Sequence, residues 1–324
     1  LVLRNARAAF HINGTADLTS VTVEDSYMGI RAQGVVTATD FSCERIDFTC
    51  IEVKQTGSAT VNGASSVDSA ISVESHGYLD LDSLTVSDGS IGLILNDGST
   101  GSADGLSIMS TSTAIISRGM TSVGVDSLTV DDVSLLFDGV SSDGAHLSNV
   151  IGEVDLRAIG SDLLDVTLSD LTLNGTGASG WALTLATSGQ FTLRDSTLSG
   201  FSQGLRLSGI GVQTFDAVDL TTSGTLLDAT GSGRLDVSDS QFSSGQEFGH
   251  VSSLDSFWTD STFTGGDSSN GLELIDGKHV FTSVTLSRAF LGSDSTSYGL
   301  AVTWADVESH GLTLEGWSDG LQCR

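Results

Sequence analysis

The chain contains Leu81-Asp-Ser-Leu-Thr-Val86, Ala103-Asp-Gly-Leu-Ser-Ile108 and Val125-Asp-Ser-Leu-Thr-Val130, three copies of one hexapeptide that begins and ends with an apolar residue. Further copies follow along the chain. From Val86 onward the closing positions are 86, 108, 130, 150, 173, 198, 220, 242, 263 and 286, so every step is between 20 and 25 residues. A fixed period of this length is the sequence signature of a solenoid.

A second signature lies about seven residues after each hexapeptide. It consists of a small residue followed by apolar-x-apolar, as in Gly92-Leu93-Ile-Leu95, Gly204-Leu205-Arg-Leu207 and Gly271-Leu272-Glu-Leu274. Apolar and outward residues alternate over these short runs, which is strand periodicity, and Gly, Asn, Asp and Ser cluster between them as turns. Each repeat is therefore predicted to be a coil of two or three short strands.

These coils predict an all-β solenoid, because a coil this small buries its apolar positions only by stacking on the next coil. We expect about 15 coils of 20 to 25 residues in a single domain spanning residues 1–324. The closing residues of the hexapeptides should form one continuous buried stack. The predicted stack is Val86, Ile108, Val130, Leu173, Leu198, Leu220, Phe242, Phe263 and Leu286.

The paired signatures resemble the pectate-lyase-like superfamily, and the resemblance covers essentially the whole chain at the level of fold pattern. It implies a single-stranded right-handed parallel β-helix, and the superfamily includes polysaccharide lyases and hydrolases. The leucine-rich repeat is the rival solenoid, because Leu168-Ser-Asp-Leu-Thr-Leu173 fits the opening of its consensus. The asparagine of that consensus is missing, however. Gly89, Thr111, Val133 and Thr176 stand in its place.

The charge balance of the chain argues against nucleic acid as a partner. Thirteen Lys and Arg residues stand against forty-one Asp and Glu residues, giving a formal net charge of −28. Such a surface repels a phosphate backbone, so nucleic acid is not expected as a partner. High ionic strength screens the self-repulsion of such a chain, which favours a saline, extracellular or cell-surface setting.

The three cysteines are too few for a disulfide framework, and we interpret Cys43, Cys50 and Cys323 as core filler. Whether Cys43 and Cys50 pair stays open. No run of eighteen apolar residues exists, so no transmembrane segment is expected. The repeat pattern reaches both ends of the chain, which predicts an excerpt of a longer protein with flanking domains or subunits at its open ends.

Outward aspartates recur early in the hexapeptides and form the first candidate site. In a stacked solenoid neighbouring carboxylates would lie about 5 to 10 Å apart and repel each other. A bound cation would relieve that repulsion, with calcium as the candidate, and a solvated acidic face is the alternative. The predicted cation column is Asp82, Asp104 and Asp126 at the second hexapeptide position, then Asp170, Asp195, Asp239 and Asp260 at the third.

An outward row of Thr and Ser resembles one row of an ice-binding array and makes ice binding a minor hypothesis. Asp219 and Gln241 interrupt the row, and ordinary strand propensity also explains threonine here. The row is Thr22, Ser42, Thr85, Ser107, Thr129, Thr172, Thr197, Thr262 and Thr285.

No catalytic or cofactor-binding constellation is assigned, because partial matches to glycosidase motifs such as Asp131-Asp132 and Ser309-His-Gly311 lie many coils apart. The sequence therefore favours a non-catalytic extracellular structural or adhesive solenoid of a larger surface protein, binding glycans or other surface proteins. A polysaccharide lyase or hydrolase is the alternative. For that alternative the arginines to examine are Arg194, Arg206 and Arg234, together with the tryptophans Trp304 and Trp317, which are expected to be more exposed than Trp181 and Trp258.

Overall fold

The protein is an all-β parallel solenoid of about 14 turns, close to the predicted 15 coils. The computed structural model describes residues 1–176, 180–266, 270–288 and 297–323, and within 155–164 it describes the backbone alone. No helix able to cross a membrane is found within those ranges. The chain divides into two compact units, residues 1–155 with 165–167 and residues 156–164 with 168–324. The prediction of a parallel β-helix is confirmed.

Each turn contributes one strand segment to each of three faces. In the turn from Thr15 to Ala32, residues 15–19 form the first face, 21–24 the second and 26–32 the third, and each pairs in parallel with the equivalent residues of the next turn. Inward and outward side chains alternate along each segment, as the strand periodicity predicts.

The first unit is built largely from long strands that continue around the corners between faces. Its strands are β1 (Val2–Arg4), β2 (Phe10–Ile12), β3 (Thr15–Ala32), β4 (Val35–Val53), β5 (Ser58–Ser75), β6 (Tyr78–Ser87), β7 (Ile91–Leu95), β8 (Thr100–Met120), β9 (Ser122–Asp143) and the first part of β10 (Ala145–Gly175). The third-face strand β7 pairs with both β5 and β8.

In the second unit the strands are mostly four to six residues long beyond β13, and each covers a single face. They are β11 (Trp181–Phe201), β12 (Gln203–Gly209), β13 (Val212–Thr222), β14 (Leu227–Thr230), β15 (Arg234–Ser238), β16 (Gln241–Ser244), β17 (Glu247–Ser252), β18 (Asp255–Thr259), β19 (Thr262–Gly265), β20 (Asn270–Ile275), β21 (Lys278–Thr282), β22 (Thr285–Arg288), β23 (Tyr298–Thr303), β24 (Asp306–His310), β25 (Thr313–Glu315) and β26 (Asp319–Cys323). Residues 177–179, 267–269 and 289–296 lie outside the described residues.

The corner between the first and second faces holds a residue with positive φ in turn after turn. Asp, Asn and Ser tolerate the left-handed region better than most residues, because their short polar side chains bond the local backbone. This requirement explains the polar third position of the hexapeptide. The non-glycine residues at this first corner are Ser20, Asp40, Ser83, Ser127, Asn149, Asp170, Asp195, Ala217, Asp239, Asp260 and Ser283.

The predicted second-face stack is confirmed, since all nine of its side chains are at most 2% exposed. Val86 pairs with Ile108, and Ile108 with Val130. In the second unit Phe242 pairs with Phe263 in the same register. One inward residue per turn is therefore removed from water along this face.

The interpretation of the cysteines as core filler is corrected. Cys43 and Cys50 are buried but form a disulfide with a Cα–Cα distance of 5.9 Å, whereas Cys323 is exposed. The bond links the second face to the third within strand β4. It therefore fixes the corner between them from inside.

A buried polar network lies inside the second unit. Trp258 Nε1 donates a hydrogen bond of 2.7 Å to Ser256 Oγ, which lies 2.8 Å from His279 Nδ1. His279 Nε2 lies 2.8 Å from the carbonyl oxygen of Asp276. Because a carbonyl only accepts, Nε2 carries the proton and Nδ1 accepts from the serine hydroxyl. The neutral imidazole is thus fully satisfied inside the core.

Candidate functional site

The seven aspartates of the predicted cation column form two separate rows, which lie at different places around the solenoid turn. Asp82, Asp104 and Asp126 are successive strand partners at the end of the first face. The other four carboxylates, Asp170, Asp195, Asp239 and Asp260, occupy the left-handed first corner. Six of the seven are exposed and Asp126 is half-buried, so both rows face solvent as expected.

Protein groups already satisfy part of the first row. Asp126 Oδ1 accepts hydrogen bonds from Ser148 Oγ at 2.7 Å and Asn149 Nδ2 at 2.6 Å, and these bonds hold the pKa of Asp126 below its usual value. Within the described ranges no three His, Cys, Asp or Glu side chains are grouped closely enough to hold a metal ion. Calcium binding by the two rows stays a prediction.

The row of Thr and Ser is continuous in the first unit, where Thr22, Ser42, Ser65, Thr85 and Ser107 are successive partners. The neighbouring outward row on the same face is chemically mixed. It contains Glu24, Glu44, Val67, Ser87, Met109 and Asp131. The second regular threonine row of a flat array is therefore missing from these turns.

The three arginines singled out for an enzyme do not share one face. Arg194 and Arg234 belong to the first face, whereas Arg206 belongs to the third. Arg234 lies 4.2 Å from the Phe257 ring centroid and Arg206 5.9 Å from that of Trp181. These are contacts of single arginines with aromatic rings, and no shared pocket joins them among the described residues.

The tryptophans follow their predicted exposure in part. Trp304 is 83% exposed and Trp258 is buried. Trp317 is only half-buried, because its ring packs edge-on against Phe248 with the centroids 5.6 Å apart, and Trp181 is half-buried as well.

A further surface feature is a cleft in the first unit that no motif had indicated. It encloses about 480 Å³ and is lined by Arg7, Ala8, His11, Tyr27, Met28, Arg31, Phe48 and Glu52. We name it the aromatic cleft. Tyr27 is 48% exposed, and its ring stacks on Phe48 with the centroids 5.4 Å apart and the planes inclined by 9°.

A β-bulge creates this aromatic pair. Ser26 pairs with Ile46 and Met28 with Thr49, so β4 has one residue more than β3 in this interval. Strand β5 also lacks the extra residue, because Ile46 pairs with Ser69 and Thr49 with Ile71. The insertion lets Phe48 turn outward beside Tyr27. Bulges are common beside functional sites, where they redirect side chains.

The disulfide lies directly behind the bulge. Cys43 and Cys50 are seven residues apart and bracket the inserted segment, which contains Phe48. Gly29 accommodates them, since a Cβ at this position would lie 2.3 Å from the Cys50 carbonyl oxygen and 3.0 Å from Cys43 Sγ. The aromatic pair therefore projects from a cross-linked corner and is fixed before any ligand arrives.

Charged side chains surround the aromatic pair. Arg31 Nε lies 3.1 Å from Glu52 Oε2, and Lys54 Nζ forms an ion pair with Glu52 Oε1. The Glu52 side chain is only 5% exposed, and each of its oxygens lies beside a cation that itself reaches solvent. The contact between Arg31 Nε and Glu52 Oε2 is an ion pair without hydrogen-bond geometry. A buried carboxylate of this kind holds the basic groups in place.

A second hollow of about 420 Å³ adjoins the aromatic cleft through Arg31. Its lining is Arg31, Gln33, Lys54, Gln55, Thr56 and His76. His76 Nε2 lies 3.2 Å from Glu74 Oε1, which also accepts a hydrogen bond of 3.1 Å from Asn96 Nδ2. The two hollows together present aromatic rings, cations and amides on the third face of the first unit.

One sequence signal could have indicated this site. The inward residues that open the third face follow the second-face residue by seven positions in Val23 to Ile30, by eight in Cys43 to Ile51, and by seven in Ser66 to Val73. Of these three intervals, the long one contains Phe48. A measurement of this spacing turn by turn would have exposed the bulge.

Comparison with known proteins gives no relative. No family model, no curated protein and no solved structure matches the chain.

Proposed function

We propose that the protein is a non-catalytic, extracellular adhesive solenoid that binds glycans through the aromatic cleft. The stacked pair of exposed Tyr27 and half-buried Phe48, on a cross-linked corner, is the observation that supports this proposal. Sugar rings present a flat face of C–H groups, whose partial positive charge favours the negative face of an aromatic ring. Amide and hydroxyl groups such as those of Gln33, Gln55 and Thr56 are suited to sugar hydroxyls.

The chemistry of the cleft favours binding over turnover. A lyase or hydrolase needs an acid and a base that are able to exchange protons with the substrate. Glu52 is the carboxylate that lines the aromatic cleft, and Arg31 and Lys54 engage its two oxygens. We expect such a carboxylate to orient the cations beside it and not to exchange protons with a glycan.

The proposal predicts that glycan binding depends on the aromatic pair. Tyr27→Ala should weaken binding to immobilised oligosaccharides by about tenfold or more, since loss of one ring-stacking contact costs about 1 to 3 kcal/mol. Tyr78→Ala is the matched control, because Tyr78 is 45% exposed but does not line the cleft.

Two results would contradict the proposal. The first is equal binding by the Tyr27→Ala and Tyr78→Ala variants. The second is release of an unsaturated or reducing-end product from any bound glycan, which would favour the lyase or hydrolase. Arg194→Gln, Arg206→Gln and Arg234→Gln variants would then identify the arginine involved.

A further inference from the structure

Charge is unevenly distributed along this acidic chain. Residues 1–54 hold five of the thirteen Lys and Arg residues but only seven of the forty-one Asp and Glu residues. The remaining residues hold eight cations and thirty-four acidic groups. The segment that builds the aromatic cleft is therefore close to neutral within a protein of net charge −28.

The cations of this segment fall into two groups. Arg4 and Arg45 are held by neighbouring acids, with Arg4 Nε 2.7 Å from Glu24 and Arg45 Nε 2.6 Å from Asp25. The other three, Arg7, Arg31 and Lys54, line the aromatic cleft or the adjoining hollow. His11 and His76 line the same surfaces.

Arg31 carries hydrogen-bond donors that suit an acid group. Glu52 engages its Nε atom, and a guanidinium has further N–H groups on its two terminal nitrogens that suit a planar or tetrahedral anion. The Arg31 side chain is 38% exposed, so a ligand can reach these groups. The exposed Arg7 lines the same cleft.

We propose that the ligand of the aromatic cleft is an anionic saccharide, in which the ring stacks on Tyr27 and Phe48 and a carboxylate or sulfate binds Arg31 and Arg7. This inference rests on the proposed glycan binding and adds the class of sugar. A neutral sugar would bring no acid group to Arg7 and Arg31. An acid group without a ring would leave the aromatic pair unused. A ligand that carries both satisfies the whole lining.

The test compares three probes on one backbone, a neutral gluco-oligosaccharide, the corresponding oligoglucuronide and the sulfate ester of the neutral sugar. Binding is measured by calorimetry with EDTA present, so that no divalent cation bridges acid groups. We expect at least one anionic probe to bind about tenfold more tightly than the neutral one, since a charge-assisted contact is roughly twice as strong as a neutral one. The two anionic arms distinguish carboxylate from sulfate.

Variants separate this inference from the proposed function. Arg7→Gln and Arg31→Gln should each lower affinity for the preferred anionic probe by about tenfold, and by more than they lower affinity for the neutral probe. Tyr27→Ala should weaken every probe. Arg4→Gln is the matched control, since Arg4 is paired with Glu24 and does not line the cleft. Because Arg7 is exposed, its variant tests the proposal even where loss of Arg31 disturbs Glu52.

If all three probes bind with equal affinity and Tyr27→Ala weakens the binding of each, the proposal of an anionic ligand is wrong. The proposal of glycan binding then still holds. Anionic preference that Arg4→Gln lowers as much as Arg7→Gln would overturn the assignment to this cleft. Absence of binding to every probe, unchanged by Tyr27→Ala, would contradict both proposals.

Discussion

The two units follow one repeat but fill their interiors differently. In the first, the fully buried side chains are mostly aliphatic, with Phe41 and Phe137 as the largest. In the second, the large buried residues are aromatic: Phe191, Phe215, Phe242, Phe248, Trp258, Phe263 and Phe281. The repeat requires an apolar residue at each inward position but does not specify the size of its side chain.

The corners differ as well. The first unit has a second left-handed corner, five residues after the first, at Asn5, Asp25, Arg45, Asp68, Asp88, Ser110 and Asp132. In the second unit the equivalent position has positive φ at Gly200 and Gly316 among the described residues.

The comparison teaches that the cleft proposed as a binding surface lies where the repeat is interrupted. In the first unit Tyr27 and Tyr78 are exposed and Phe48 is half-buried, and a bulge and a disulfide define the position of the pair of Tyr27 and Phe48. In the second unit the aromatic residues serve mainly as core. Each unit can therefore be tested by a change that should leave the other undisturbed, because energetic effects in solenoids are largely confined to neighbouring turns.

The largest expected effect is loss of an aromatic core residue. Phe263→Ala should lower the local free energy of unfolding in the second unit by about 3 to 5 kcal/mol, because the substitution leaves a cavity. The Phe263 ring contacts Phe242, Trp258 and Phe248 at centroid distances of 5.0, 5.3 and 5.6 Å. Hydrogen exchange followed by mass spectrometry measures this change peptide by peptide.

Ile108→Val is the matched control, since Ile108 occupies the same register in the first unit. It should cost about 0.5 to 1.5 kcal/mol, and only there. A similar loss of protection in both units after Phe263→Ala would show that they unfold as one cooperative body, which would break the comparison.

The disulfide gives an intermediate effect confined to the first unit. Replacing Cys43 and Cys50 by serine should lower the local stability of β4 by about 2 kcal/mol, because the closed loop is short and the entropy gained on opening it is modest. Peptides from β11 to β26 serve as the internal control. Unchanged protection of β4 after the substitution would mean that stacking alone holds the bulged corner.

Parts of this molecule were predictable from the sequence, and the reason is physical. Inward residues such as Val86 and Phe263 recur at a fixed period, so one register determines burial for the whole stack. The polar third position was read as part of a cation column, although its left-handed φ gives a backbone reason for Asp170 or Asp195. The aromatic cleft depends on one inserted residue near Phe48, and a repeat pattern does not contain a residue that is inserted in one turn alone.

The smallest effect is a pH dependence confined to the second unit. Burial lowers the pKa of His279 from its usual value of 6.5, against smaller opposing effects of the Asp276 carbonyl and the Asp255 carboxylate. Above about pH 6.5 the imidazole is neutral in both folded and unfolded chains and contributes no pH dependence. Below that pH the unfolded chain binds a proton that the buried ring does not bind. Each unit by which the pH falls therefore lowers the free energy of unfolding by at most about 1.4 kcal/mol. Hydrogen exchange of β18 and β21 between pH 7 and 5, corrected for the intrinsic rate, measures this slope.

His279→Gln should remove the slope even where it lowers stability at every pH, because glutamine does not titrate. A slope that survives in the variant would assign the proton uptake to another group.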